Sequence, residues 1–95
     1  MDTPVSIVVL TYNNPDLLRR CLESVLALDY PDFEVVVVDN ASNDNTAQIV
    51  RDEFRSRVKL LVCAENSPVA ARNQGFWSAR GEFVLSLDHD MVISD

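Results

Sequence analysis

The nine residues Glu82-Phe83-Val84-Leu85-Ser86-Leu87-Asp88-His89-Asp90 carry an apolar run straight into two carboxylates that flank a histidine. A short apolar run bounded by polar residues predicts a core strand of a parallel sheet. In open α/β sheets ligands bind outside the carboxyl ends of the strands, so acids placed there point at a ligand. Two hard oxygen donors this close together suit a divalent cation such as Mg²⁺ or Mn²⁺ that is also held by phosphates. Taken alone, an Asp-X-Asp after a strand is more often a solvated acidic turn. The sequence upstream decides between the two readings.

Just before this run, Ser67-Pro68 reads as the N-cap and first position of a helix extending to about Arg80. Phe76 and Trp77 are assigned to its buried side. Arg80 is a favourable cation for its last turn, and Gly81 its stop. At the other end of the chain, residues 5–12 are nearly continuous apolar sequence, as a strand covered on both faces requires. Asn13-Asn14-Pro15-Asp16 breaks that strand, and Leu17, Leu18, Cys21, Leu22, Val25 and Leu26 then recur at helical spacing. After a turn at residues 29–32, a second strand over 33–38 closes on a valine run and leads into Asp39-Asn40. Asn45 with Gln48 resembles a capping box opening a second helix, whose apolar face is Ala47, Val50 and Phe54. Residues 58–63 form a third strand. The resulting order, β-α-β-α-β-α-β, predicts a mainly parallel sheet with right-handed crossovers: an α/β, Rossmann-like, three-layer half-domain.

Ninety-five residues suffice for one small domain. With 47% hydrophobic and 24% charged residues the composition is that of a globular chain, not a disordered one. A net charge of −7 excludes a general nucleic-acid binder, which needs a basic face, but suits an acidic site that takes up a cation before an anionic substrate. No run is long enough for a membrane span, and the first ten residues lack a basic signal-peptide start. Cytoplasmic exposure is the default expectation, with the cytoplasmic membrane face as an option for a longer protein. Cys21 and Cys63 are read as small buried hydrophobes, since their spacing matches no metal pattern.

No G-x-G-x-x-G or G-x-x-x-x-G-K-[ST] follows the first strand, and the chain has only Gly75 and Gly81. A glycine loop cradling a pyrophosphate is therefore not how this chain would hold phosphate. The polar residues gather instead at strand ends: Thr11, Tyr12 and Asn13, then Asp39 and Asn40, then Asp88 and Asp90. With strand order 3-2-1-4 these groups would line one crevice at the switch point between strands one and four.

Four stretches in this order, Val5-Ser6-Ile7-Val8-Val9-Leu10-Thr11-Tyr12-Asn13, residues 36–46 around Asp39, Ala71-Arg72-Asn73-Gln74-Gly75, and Asp88-His89-Asp90, together resemble the nucleotide-binding half of family 2 glycosyltransferases of the GT-A fold. The resemblance covers essentially the whole chain. It implies that Thr11, Tyr12 and Asn13 contact the nucleoside, that Asp39 hydrogen-bonds a uracil-type base edge, and that Arg72 lies near the nucleotide. It further implies that Asp88 serves the ribose and the metal's surroundings, and that Asp90 binds the metal, Mn²⁺ or Mg²⁺, directly. His89 reads as a variable middle residue and not as a ligand.

The sequence departs from the family at Glu65-Asn66-Ser67-Pro68, where Glu65 and Ser67 stand in place of an Asn and a Gly. No residue matches the carboxylate base that inverting transfer needs, which the resemblance puts beyond Asp95. The expectation is thus a truncated GT-A fold. Residues 1–95 would be its nucleotide-sugar-binding half, from an inverting, metal-dependent transferase using a UDP-sugar, inactive as a fragment and open to self-association at its last strand. The alternatives are a non-catalytic nucleotide- or metal-binding module, or a nucleotidyltransferase, although the latter usually has a Gly-rich, basic loop after strand one.

Overall fold

The computed structural model describes residues 4–28 and 32–89. Four parallel strands, β1 (Val5–Thr11), β2 (Phe33–Asp39), β3 (Lys59–Val62) and β4 (Phe83–Asp88), form one sheet in the order β3-β2-β1-β4. Three helices connect them: α1 (Pro15–Leu26), α2 (Thr46–Glu53) and α3 (Pro68–Ser78). Both the alternation and the strand order are those expected. β1 is central, pairing with β2 from Val5↔Phe33 to Thr11↔Asp39 and with β4 from Val5↔Phe83 to Leu10↔Asp88. No described helix is long and apolar enough to cross a membrane.

Successive residues of a strand face opposite sides, so a strand buried on both faces divides its apolar residues between two cores. Ile7, Val9, Val35, Val37 and Leu87 meet Leu18, Cys21, Leu22 and Val25 of α1, together with Val50 and Phe54 at α2. On the opposite face Val8, Val36 and Val38 pack with Cys63 and Ala71 of α3. This explains the unbroken valine run of β2: every position in it has a core to enter.

Local signals set the helix starts. The Asn14 side chain accepts from the Leu17 N–H at 3.2 Å ahead of Pro15, and Ser67 accepts from the Ala70 N–H at 3.4 Å ahead of Pro68. At α2 the expected Asn45–Gln48 box does not form. Asp44 Oδ1 accepts from the Thr46 N–H at 3.0 Å and from the Thr46 hydroxyl, while Gln48 donates to Asp52. Gln48, bonded to Asp52, does not reach back to the N-cap, and Asp44 caps the first turn instead.

α3 differs most from expectation. It ends at Ser78, because Ala79 turns extended (φ −70°, ψ 135°) and the Arg80 N–H is taken by Glu34 Oε2 at 2.5 Å. Gly81 is no helix stop with positive φ. A Cβ there would lie 2.5 Å from the Ser6 nitrogen, so glycine permits close backbone contact. Ser6, Glu34, Arg80 and Gly81 form a polar knot at the amino end of the sheet. The Ser6 hydroxyl donates to Glu34 at 2.6 Å and accepts from the Gly81 N–H at 2.7 Å, and the Arg80 guanidinium reaches Glu34 at 3.1 Å.

Phe76 and Trp77, expected in the core, are 44% and 88% exposed. α3 meets the sheet through Ala71 and Gly75, where an added Cβ at Gly75 would lie 2.4 Å from Val8 Cγ1. With about 100° of rotation per residue, the two aromatics that follow Gly75 point away from that contact. Cys21 and Cys63 are both buried and not joined in a disulfide, Cys63 lying just past the end of β3.

Candidate functional site

The carboxyl ends of β1, β2 and β4 open together on one side of the sheet, where α3 begins. Between them lies a cleft of about 320 Å³, lined by Leu10, Thr11 and Tyr12 from β1, Asn40 after β2, Pro68, Ala71 and Arg72 of α3, and Asp88 and His89 from β4. That volume is within the range of small-molecule sites. It falls at the switch point where the chain crosses from one side of β1 to the other.

Of the residues singled out from sequence, Thr11, Tyr12, Arg72 and Asp88 line this cleft. Tyr12 is partly exposed, offering a ring face, and its hydroxyl accepts from Asn43 Nδ2 at 3.3 Å. Arg72 and Asp88 are exposed, so one cation and one carboxylate face the same space. The Thr11 hydroxyl is buried and lies 2.9 Å from His89 Nδ1.

Asn13 and Asp39 do not line the cleft but brace it. Asp39, only 2% exposed, accepts through Oδ1 from the Ser42 N–H at 3.0 Å and the Ser42 hydroxyl at 2.5 Å. The same hydroxyl oxygen accepts from the Asn13 N–H at 2.9 Å, and Asn13 Oδ1 accepts from the Asn43 N–H at 2.6 Å. This relay ties the loop after β1 to the loop after β2 and ends at Tyr12. Asn13 and Ala41 hold it with φ of 50° and 60°, a conformation asparagine tolerates better than alanine. Burial, then the negative charge of Asp39, pushes the neighbouring Cys63 thiol up, which keeps it protonated and unreactive.

Asn40, one of the strand-end residues expected to line the crevice, does line it, whereas His89 was not singled out as a site residue from sequence. Asn40 accepts through Oδ1 from the Ser67 N–H at 2.7 Å, and its carbonyl accepts from Asn66 Nδ2 at 3.1 Å. The loop whose sequence departs from the family is thereby pinned to the end of β2, which sets where α3 starts and where Arg72 stands. His89, expected to be a spacer, is bound to the end of β1 and lines the cleft. A histidine between aspartates carries little signal until the strand order sets its neighbours.

Asp90 lies outside the described residues. Among the described residues no cluster of three or more His, Cys, Asp or Glu side chains could alone hold a metal ion. Asp88 supplies one hard oxygen donor in the cleft, a set that fits a cation completing its shell from phosphate, water and a neighbouring carboxylate.

A parallel sheet in this order with its cleft at the β1/β4 switch point defines an α/β half-domain of the GT-A kind, and its structural neighbours are GT-A glycosyltransferases. The family model "Glycosyl transferase family 2" matches residues 6–95, and the chain belongs to that family. A poly-beta-1,6-N-acetyl-D-glucosamine synthase from Staphylococcus epidermidis is 34% identical over 93 residues, covering 96% of this chain and 23% of that protein. The crystal structure of Staphylococcus aureus TarS 1–349 in complex with UDP-GlcNAc superimposes with a TM-score of 0.81 at 41% identity, over 92% of this chain and 26% of that one. A mannosyltransferase from Pyrobaculum calidifontis in complex with GDP-Man and Mn²⁺ gives 0.87 at 32% identity, over all of this chain and 30% of that one. The chain thus spans less than a third of each of these proteins.

Proposed function

We propose that these residues form the donor-binding portion of an inverting, metal-dependent glycosyltransferase that moves a sugar from a nucleotide-sugar to an acceptor hydroxyl. The observation that carries this reading is the convergence of Tyr12, Arg72 and Asp88 on one cleft at the switch point of the sheet. The UDP-GlcNAc and GDP-Man complexes of the superimposable structures support a nucleotide-sugar as its occupant, and the higher identity to the UDP-GlcNAc-bound protein favours UDP.

Each side chain has a task in that reading. The Tyr12 ring packs against the base. The Arg72 guanidinium, a planar fork suited to phosphate oxygens, faces the diphosphate. The Asp88 carboxylate accepts from ribose hydroxyls and, with Asp90, holds Mn²⁺ or Mg²⁺. Asp39 keeps the two loops behind the cleft in register, with its second oxygen as a base contact. A bound cation would neutralise the diphosphate leaving group as the glycosidic bond breaks. The general base lies outside these 95 residues, so the chain alone is expected to bind donor without transferring sugar.

Calorimetric titration of UDP tests this, with Mn²⁺ and with EDTA, on the wild-type chain and on Asp90→Ala and Arg72→Ala. Metal-dependent binding that weakens at least tenfold in either variant is expected, about the loss of one charge-assisted contact. Binding indifferent to metal and to both substitutions would remove the donor-site reading. Sugar transfer by the purified chain would remove the assignment of the base.

A further inference from the structure

Resting on that nucleotide reading, we propose that His89 is a positioning residue that fastens the ends of β1 and β4 through Nδ1 and turns Nε2–H towards an oxygen of the bound nucleoside diphosphate. His89 Nδ1 lies 2.9 Å from Thr11 Oγ1 and 3.4 Å from the Tyr12 backbone nitrogen. A backbone N–H only donates, so Nδ1 is the acceptor. The Thr11 hydroxyl, enclosed at 2% exposure, donates to the same lone pair. A neutral imidazole that accepts at Nδ1 carries its proton on Nε2.

Nε2 has no hydrogen-bond partner among the described residues, and no buried side-chain nitrogen or oxygen among them is left without one. The second ring nitrogen is therefore no buried, unpartnered atom, and its residue lines the cleft beside Tyr12, Arg72 and Asp88. Its surroundings favour a donor. In a chain of net charge −7, with Asp88 on one side of the ring and Asp90 on the other in sequence, an anionic ligand needs every N–H the cleft can offer. Arg72 supplies one set and Nε2–H supplies another. The two contacts at Nδ1 also fix the turn after β4 against the chain at Tyr12.

The two ring nitrogens can be tested apart. Asparagine at this position places its amide oxygen near Nδ1 and keeps the fastening, but has nothing at Nε2. Glutamine reaches the Nε2 position with an amide N–H and gives up the Nδ1 contacts. Nitrogen-15 spectra of the imidazole in the ligand-free chain are expected to show the Nε2–H tautomer, with the Nε2 resonance moving as UDP and the diamagnetic Mg²⁺ are added. His89→Asn is expected to unfold near the wild-type temperature yet bind UDP about tenfold more weakly, the loss of one hydrogen bond to a charged acceptor. His89→Gln is expected to recover part of that affinity while unfolding earlier.

An Nδ1–H tautomer would overturn the fastening. A His89→Asn chain that binds UDP as tightly as wild type would overturn the donor role while leaving the nucleotide reading intact. A wild-type chain that binds no UDP would remove the nucleotide reading and the donor role together, and the tautomer would still decide the fastening.

Discussion

Glu34 is the residue on which the end of the sheet opposite the cleft depends. Burial pushes its carboxyl up, but the hydrogen bonds from the Ser6 hydroxyl, the Arg80 N–H and the Arg80 guanidinium, with that cation's charge, outweigh it and hold the group below its ordinary 4.5. A carboxyl whose pKa is lower folded than unfolded stabilises the fold above the unfolded value, and that stability drains away as the pH falls through the folded value. Glu34→Gln is therefore expected to cost about 1–2 kcal/mol at neutral pH and to flatten the loss of stability below pH 4.5. Urea unfolding at a series of pH values measures both effects, and parallel pH profiles for the two proteins would count against it. Residues of this kind are hard to read from sequence. Glu34 looks like any acid near a strand start, because its partners Ser6 and Arg80 are 28 and 46 residues away. Asp88 and Arg72 were legible because a strand end or an ordered motif marked them. Asn40 was legible in the same way, as a strand-end residue, but His89 was not, since its partners are set by strand order.

Among the elements, α3 shows what sequence periodicity leaves undetermined. Its start was legible in Ser67-Pro68, whose roles are local. Its buried side was not, since large aromatics ordinarily signal a core face and here the small residues Ala71 and Gly75 take it. The reason is spacing: the helix lies so near the sheet that a methyl group at Gly75 would meet Val8 at 2.4 Å and Val38 at 3.1 Å. Gly75→Ala should thus destabilise the fold although alanine is the better helix former. Overpacking typically costs about 1–3 kcal/mol against about 1 kcal/mol of helix propensity, a net loss of up to about 2 kcal/mol. Denaturant unfolding decides it, and a stabilised Gly75→Ala would show that α3 has room to lift. Because Ala71 and Arg72 ride on the same helix, any lift would also widen the cleft. β1 and β2 were far more legible than α3, since apolar runs with cores on both faces have no other use, whereas β4, expected as a core strand, is an edge strand that leaves Phe83, Val84 and Leu85 exposed.

At the scale of the whole molecule, the two faces of β4 are unevenly covered. Phe83 and Leu85 share the α1 side with Val5 and Ile7, yet are 64% and 46% exposed, and Val84 on the other side is 41% exposed. With Trp77 nearby in sequence and β4 at the edge of the sheet, this is an apolar margin with an open strand. Such margins invite pairing. The isolated chain is expected to self-associate in sedimentation velocity runs, with Leu85→Lys moving it towards monomer. A wild-type chain that stays monomeric at high concentration would contradict this.

The order β3-β2-β1-β4 also has a consequence in time. β1 leaves the ribosome first and finds one neighbour, β2, after a single helix. Its other neighbour begins at Phe83, nearly the length of the chain later. Between those moments β1 has one edge bare, and the cleft lacks the wall that Asp88 and His89 supply. Pairings across such sequence distances are slow, because the loop must close before any contact rewards it. Of the four strands β4 is made last and completes the pairing of β1 and the lining of the cleft in one step, so a chain stopped before Phe83 has neither.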